Sequence, residues 1–500
     1  MAYPVERRSH RLMAPTKSSP TRPAPEGFAA FSLRSFIERL EREHPDQVVH
    51  VTEPVDPARF EVTAVLKHLE LRRKYPLVVF DRPLNLLGQP SLLPIATNIY
   101  ATRERCAMAL GLRPQDAMVG LSLEYARREE QRVAPEIVSE EDAPVKEVVR
   151  TGDQVDLREL PIVRHHDMDA GPYIDMTSVM RDPDSGAYNA AFLRNMYKGP
   201  RKLGLHMSPR HNWQIVRKHE LKDEATPVAI VVSHHPAFYI GSLNVAPFGV
   251  DDYALIGAMF ERPLRLTPST TWGEKFMIPA DADLVLEGHV LPNVREVEGP
   301  FGEFPGTYGP QRVRWVVELT ASNQRSDAMY QDVFVGHPDN WMMGSFPKEG
   351  SIYNRIKGVV PSVKGVHLPT SAVGRFHCYI SIDKRVDGES KQAALIALGA
   401  CDFVKHVVVV DGDIDPFREE EVLWAIATRV QADEDVDILK NVKGSTLDPS
   451  QRDDIMGAKM IIDATRPVRR PFEARIEIPA EAMARVELER LIPREQLGRI

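Results

Sequence analysis

The sequence predicts a multidomain chain of mixed α+β and α/β class: an N-terminal α/β domain, a β-rich central domain and a C-terminal α/β domain with a terminal helix. Three patterns carry this. Helical and strand-like runs alternate up to about residue 130, short β-branched runs separated by turn residues fill about 140 to 330, and strand–helix order returns after Gly336. A length of 500 residues is that of about three domains at roughly 150 residues each. The expected boundaries are 28–135, 136–330 and 331–475, with a disordered arm over 1–27 and a tail bearing a short helix over 476–500.

The arm is rich in Pro, Ser, Arg and Lys, a composition that cannot bury enough apolar surface to order itself. Ser32 is placed to cap a helix whose Leu33, Phe36, Ile37 and Leu40 fall at i, i+3, i+4 and i+7, and which ends before Pro45. Strands are predicted at Gln47–Thr52 and Leu77–Phe80, with a helix over Glu61–Lys74 between them. In the central part, Ile174–Met180, Val228–Ser233, Asp283–Gly288 and Val313–Thr320 read as strands of a barrel or sandwich, interrupted by one helix near Asp251–Glu261. Further on come a strand at Phe376–Ile382 and a helix over Ser390–Leu398 closed by Gly399. Next are a buried strand at Phe403–Val410 and a helix capped by Asp415, with Pro416 at its first position. That helix is expected to bury Val422, Leu423, Ile426 and Val430, and the order implies parallel pairing. A last helix is predicted from about Ala480 to Leu491.

Composition narrows function. A net charge of −8 argues against nucleic-acid binding, which favours basic patches. Cys106, Cys378 and Cys401 are far apart and form no CxxC pair, which fits a reducing compartment, so the expected location is the cytoplasm. No apolar run approaches the roughly 18 residues of a membrane span, and the basic N-terminus lacks the apolar stretch of a secretory signal, so no membrane association is expected. Dinucleotide, P-loop, serine-hydrolase and zincin motifs are all missing from the chain.

The richest segment is Glu298-Gly-Pro-Phe-Gly-Glu-Phe-Pro-Gly-Thr-Tyr-Gly309. Two carboxylates in a Gly/Pro-dense loop suggest proton handling, although spacing alone reads equally as a solvated turn. Around it stand Tyr188-Asn-Ala-Ala-Phe-Leu-Arg194, Ser208-Pro-Arg-His-Asn212 and the Asp251-Asp252 pair. Asn, His and carboxylate together make an O/N donor set that suits Mn²⁺ or Mg²⁺. Taken singly, each also has an ordinary reading: Asn189 ending a turn, His211 a plain histidine, Asp252 a helix cap, Arg194 a salt-bridge partner. The pairs His165–His166 and His234–His235 read as structural, since adjacent strand residues point to opposite faces.

In order and spacing these blocks resemble the UbiD family of prenylated-FMN-dependent (de)carboxylases, of the ferulic acid and aromatic acid decarboxylase type, over roughly residues 30 to 470. Asp182–Asn189 with Arg194, Pro279–Gly288, Glu298–Glu303, Val422–Arg429 and Met456–Thr465 carry the resemblance. It implies that the central domain is a split β-barrel that binds flavin. It implies reversible, non-oxidative decarboxylation of an aromatic, heteroaromatic or α,β-unsaturated acid through a covalent adduct with prenylated FMN, releasing CO₂. Arg194, Glu298 and Glu303 fall on the catalytic network, with Glu303 as proton donor. Asn189, His211 and Asp252 fall on the metal ligands for Mn²⁺ or Mg²⁺, with K⁺ as a further ion; Asp252 stands where relatives often have Glu. Asn189, Phe192, Leu193, Arg194, Arg210, His211, Asp252 and Lys391 are the implied cofactor contacts. A flavin prenyltransferase would supply the cofactor, and the expected assembly is a homodimer or larger homo-oligomer. An FMN-dependent oxidoreductase and a non-catalytic flavin-binding subunit on the same barrel are the alternatives.

Overall fold

The structure is a computed structural model, describing residues 31–451, 456–476, 478–493 and 496. The basic arm, 1–27, lies outside them.

The centre of the molecule is a closed, six-stranded antiparallel barrel. Leu284–Glu298 pairs with Thr226–Ser233, then follow Tyr173–Arg181, Tyr188–Gly199, Lys202–Leu205 and Arg312–Gln324, and the last pairs back onto Leu284–Glu298. Closure removes the exposed edges that make an open sheet sticky. All four strands expected here form and all are longer than expected, the last two most of all because the barrel wall continues their pairing to Glu298 and Gln324.

The N-terminal helix Leu33–Glu43 is capped by Ser32 as its sequence implied, and Leu33, Phe36, Ile37 and Leu40 are the residues it buries. The strands Val48–Val51, Leu77–Phe80 and Ile95–Thr97 form a sheet whose fourth strand is Tyr330–Gln331. A strand from far along the chain thus completes the first α/β unit, and one apolar core runs from Leu33 through the barrel to Phe346.

The 20-residue helix Pro338–Lys357 leads out of the barrel. It packs on the five-stranded sheet, ordered Val363–His367, His377–Ile382, His406–Asp411, Met456–Ala464, Val436–Lys443. The inner three strands are parallel and the edges antiparallel, as strand–helix alternation requires for the inner part.

Four local readings are corrected. Gly399 does not close its helix, which runs over Glu389–Ala400 and stops where buried Cys401 turns extended. Asp415 caps a separate turn by accepting from Phe417 N at 2.9 Å, and the helix begins later, at Glu419. That helix buries Val422, Ala425 and Arg429, whereas Leu423 is exposed, because 422, 425 and 429 share a stripe that 423 leaves. The C-terminal stretch forms two short helices, Ala480–Arg485 and Leu488–Leu491, with no buried residue to hold them as one.

Candidate active site

A cavity of about 460 Å³ lies between the barrel, the helix Pro338–Lys357 and the loops around Arg375 and Phe403. The strand Tyr188–Gly199 supplies its floor. Alternation along that strand is locally broken in burial: Asn189 and Arg194 are buried, and Phe192 and Leu193 are half-buried against the cavity.

Arg194 is the hub. Its Nε and Nη2 donate to the two oxygens of Glu298 at 2.9 and 2.8 Å, a bidentate fork, and its Nη1 donates to Glu303 Oε1. Its guanidinium carbon lies 4.8 Å from the Phe301 ring centroid. Tyr173 Oη adds a hydrogen bond to Glu298 at 3.2 Å. Arg194, Glu298 and Glu303 are all at least nine-tenths buried, so little water screens them.

The two carboxylates therefore part company. Burial alone would raise Glu298, but the contacts of His206 and Arg194 outweigh it and hold the group at about 2. Of these two only Arg194 carries a charge. His206 is pushed down to about 4, mainly by burial, and its Nδ1 already accepts from Arg314 Nε at 3.1 Å. Glu303 moves the other way: burial and the neighbouring Glu298 charge raise it against the pull of Arg194. Two acids on one arginine, one held ionised and one biased toward its protonated form, are equipped for proton transfer.

The loop geometry explains its glycines. Phe301–Gly302 and Tyr308–Gly309 pair as a short hairpin, and Gly306 N donates to Glu303 O at 2.9 Å across the turn. A Cβ on Gly309 would lie 2.9 Å from Glu303 Oε1, and one on Gly302 would lie 2.3 Å from His166 Nδ1. Gly309→Ala is expected to push Glu303 off Arg194 and lower turnover about 10²-fold with the flavin still bound. Steady-state rates with flavin absorbance per subunit check this; unchanged rates would show that the carboxyl tolerates the shift.

At the far side, Asn189 Oδ1 and His211 Nδ1 meet at 3.1 Å. The acid pair divides: Asp251 caps the helix Asp252–Phe260, accepting from Tyr253 N at 2.9 Å, while Asp252 turns into the cavity. Asp252 accepts from Ala190 N at 2.7 Å and Asn244 Nδ2 at 2.9 Å, and burial raises its pKa to about 7. Burial and Arg210 lower His211, leaving it the neutral imidazole a metal needs. Among the described residues no three of His, Cys, Asp and Glu converge as a metal site, so any ion here depends on the Asn189 oxygen as well.

Arg210 also lines the cavity, paired with Asp402 at 2.7 Å. Lys391 does not join it. It lies on the helix Glu389–Ala400, half-exposed at the surface, with Nζ 2.8 Å from Asp437, because the sheet turns that helix face away from the barrel.

The histidine pairs are only partly as read. His234 and His235 are buried and pushed down by that burial, His234 stacked on Phe238. His165 is held by Asp332 at 2.9 Å. Neither His165 nor His166 lies in a strand, so the alternation argument does not apply, and His166 packs against the Glu298–Gly309 loop.

Sequence reasoning missed Tyr173, Asp175, Lys348 and Arg375, buried at or beside the site, and the partly buried His206. Only Lys348 carried a signal, a lysine after the apolar stretch Trp341–Pro347; the others sit in runs with no motif.

Three family models match: the 3-octaprenyl-4-hydroxybenzoate carboxy-lyase N-terminal domain over 37–122, its Rift-related domain over 136–338 and its C-terminal domain over 341–464. The chain is 32% identical over 446 residues to an anhydromevalonate phosphate decarboxylase of Methanothermobacter thermautotrophicus, covering 87% of this chain and 97% of that one. It is 31% identical over 451 residues to a phenolic acid decarboxylase of Sedimentibacter hydroxybenzoicus, covering 87% and 92%. Among solved structures, the UbiD-class enzyme HmfF from Pelotomaculum thermopropionicum in complex with FMN superposes with a TM-score of 0.83 at 37% identity, over 92% of this chain and all (100%) of that one. An evolved dimeric form of the same enzyme, in complex with prFMN, gives a TM-score of 0.82 at 35% identity, over 92% and 100%. Fold, domain sequence and the overall match therefore agree, and the chain belongs to the UbiD family of carboxy-lyases.

Proposed function

We propose that this chain uses prenylated FMN to decarboxylate, reversibly, an aromatic, heteroaromatic or α,β-unsaturated carboxylic acid. The observation that carries the reading is the buried Arg194–Glu298–Glu303 cluster, with its two carboxyl groups pushed apart in proton affinity. Relatives named as decarboxylases of phenolic acids and of anhydromevalonate phosphate support it.

The cavity's donor set fits the cofactor. Asn189, His211 and Asp252 would hold a divalent ion, Mn²⁺ or Mg²⁺, beside the flavin phosphate, with K⁺ as a further ion. Phe192, Leu193 and Arg210 line the same cavity, and would offer the flavin ring an apolar surface and its phosphate a cation. When bound, prenylated FMN supplies the electron sink for the departing CO₂ that side chains lack. The protein's own work is positional and protonic. Arg194 orients the reacting carboxylate and keeps Glu298 ionised; Glu298 biases the shared proton onto Glu303; Glu303 delivers that proton to the carbon that loses CO₂. Burial of the trio excludes the water that would compete as proton donor. We read the active form as a cytoplasmic homodimer or larger homo-oligomer, supplied by a flavin prenyltransferase. No helix among the described residues is long and apolar enough to cross a membrane.

The test is production with and without a flavin prenyltransferase, followed by a panel of ring and α,β-unsaturated acids scored by H/D exchange at the carboxyl-bearing carbon. Exchange only in the prenyltransferase-supplied protein is the expected result; hydride transfer with plain FMN would replace the reading with an oxidoreductase. Asn189→Ala and His211→Ala are expected to reduce both metal content and flavin retention. A variant with an undiminished flavin spectrum and metal content would remove those residues from the metal site.

A further inference from the structure

Two buried cations face the cavity without a protein anion. Lys348 is 7% exposed and Arg375 is 9% exposed. Both line the cavity. Among the described residues the side chain of neither makes an ion pair or hydrogen bond, and Arg375 Nη1 is a buried donor without an acceptor. The nearby carboxylates are already engaged: Asp402 pairs with Arg210 at 2.7 Å and with Lys443 at 3.5 Å, and Glu303, which also attracts Arg375, is paired with Arg194. Burial and the neighbouring arginines Arg375 and Arg210 bring Lys348 down to about 8. Leaving like charges buried and unpaired is costly, and a ligand anion removes that cost.

The placement is built into the backbone. Arg375 lies flat against the helix at Gly344, where a Cβ would come within 2.1 Å of Nη2. Its guanidinium carbon is 4.2 Å from the ring centroid of Phe304, the residue after Glu303. Lys348 follows Gly344 by one helical turn. Both cations thus come from the C-terminal half: Arg375 approaches the Glu303 side of the cavity and Lys348 neighbours both Arg375 and Arg210, whereas Asn189, His211 and Asp252 belong to the barrel half.

We propose that Lys348 and Arg375 form a second anion subsite, and that the substrate is a dianionic acid: one carboxylate reacts at Arg194 and Glu303 while a second anionic group is held by these two cations. The inference rests on the decarboxylase reading for the reacting group and on the unpaired cations for the second. The other anion of the same chemistry is the cofactor's own phosphate, and the experiment separates the two.

The flavin-loaded full chain is titrated calorimetrically with thiophene-2-carboxylate and thiophene-2,5-dicarboxylate, and CO₂ release from both is followed. Lys348→Met keeps the aliphatic stem and removes the charge; Lys348→Arg restores the charge. The expected result is binding of the dicarboxylate at least about tenfold tighter, a preference that Lys348→Met abolishes and Lys348→Arg recovers, with flavin absorbance per subunit constant. No preference in the parent protein, or a preference that survives Lys348→Met, overturns the proposal. Loss of flavin in Lys348→Met overturns it in favour of the phosphate. Lys348-dependent dicarboxylate binding with no CO₂ release from any acid sustains the subsite and defeats the decarboxylase reading instead.

Discussion

Glu303→Gln is expected to keep its flavin and lose about 10²- to 10⁴-fold in turnover, the range general acid catalysis contributes. The amide is nearly isosteric and still reaches Arg194, so folding and the Arg194–Glu298 fork survive while the transferable proton is gone. The pH dependence has a definite sign. The Glu303 pKa is raised by burial and by Glu298, so its proton is present at low pH and lost as pH rises through that raised value. Glu298, held at about 2, stays ionised throughout and contributes no second limb near neutrality. Turnover should therefore fall on the alkaline side, and the Gln variant should lose that limb. Near-parental rates in Glu303→Gln would take the residue out of its role.

Glu349→Leu is expected to destabilise the protein by about 3–5 kcal/mol, the cost of stranding a buried partner charge. Glu349 is fully buried on the helix that also carries Lys348. It accepts from Arg103 Nη1 at 3.0 Å, from Ser122, from Leu368 N at 3.0 Å, and contacts His367 Nδ1 at 2.9 Å. It thereby ties the N-terminal helices to the long helix and to the C-terminal sheet. Burial would raise this carboxyl, but Arg103 and His367 reverse that and hold it at about 2. A depressed folded value contributes stability above the unfolded value of about 4.3, and that stability is lost as pH falls toward 2. The unfolding temperature of the parent should drop steeply over that window and that of the variant less so. Equal unfolding temperatures at neutral pH would show the network to be dispensable.

Local chemistry was legible where neighbours in sequence are neighbours in space. The Ser32 cap, the Leu33–Leu40 stripe, the strands bounded by Gly and Pro, and the two-acid loop all follow from periods and turn residues within a dozen positions. Arg194 and the acids were recognisable as a set because their blocks occur in a family order. Long-range placement was not legible. Tyr330–Gln331 completing the first sheet depends on pairing across more than two hundred residues of chain, to which no local period corresponds. Lys391 had the right charge and the wrong face, because helix rotation on its sheet is decided by packing.

What the sequence determined alone is the order of elements and the supply of chemistry: a β-rich middle between α/β ends, and two glutamates in a loop that glycine keeps narrow. What only the tertiary structure decided is which groups share a low-dielectric space. Glu298 and Glu303, both buried, differ in proton affinity because one receives the two-pronged arginine fork and the other a single arginine contact beside a like charge, and neither term is readable from their identical side chains. The same holds for Lys348 and Arg375, ordinary surface residue types that become an anion site only because closure of the barrel against the C-terminal half takes them out of water.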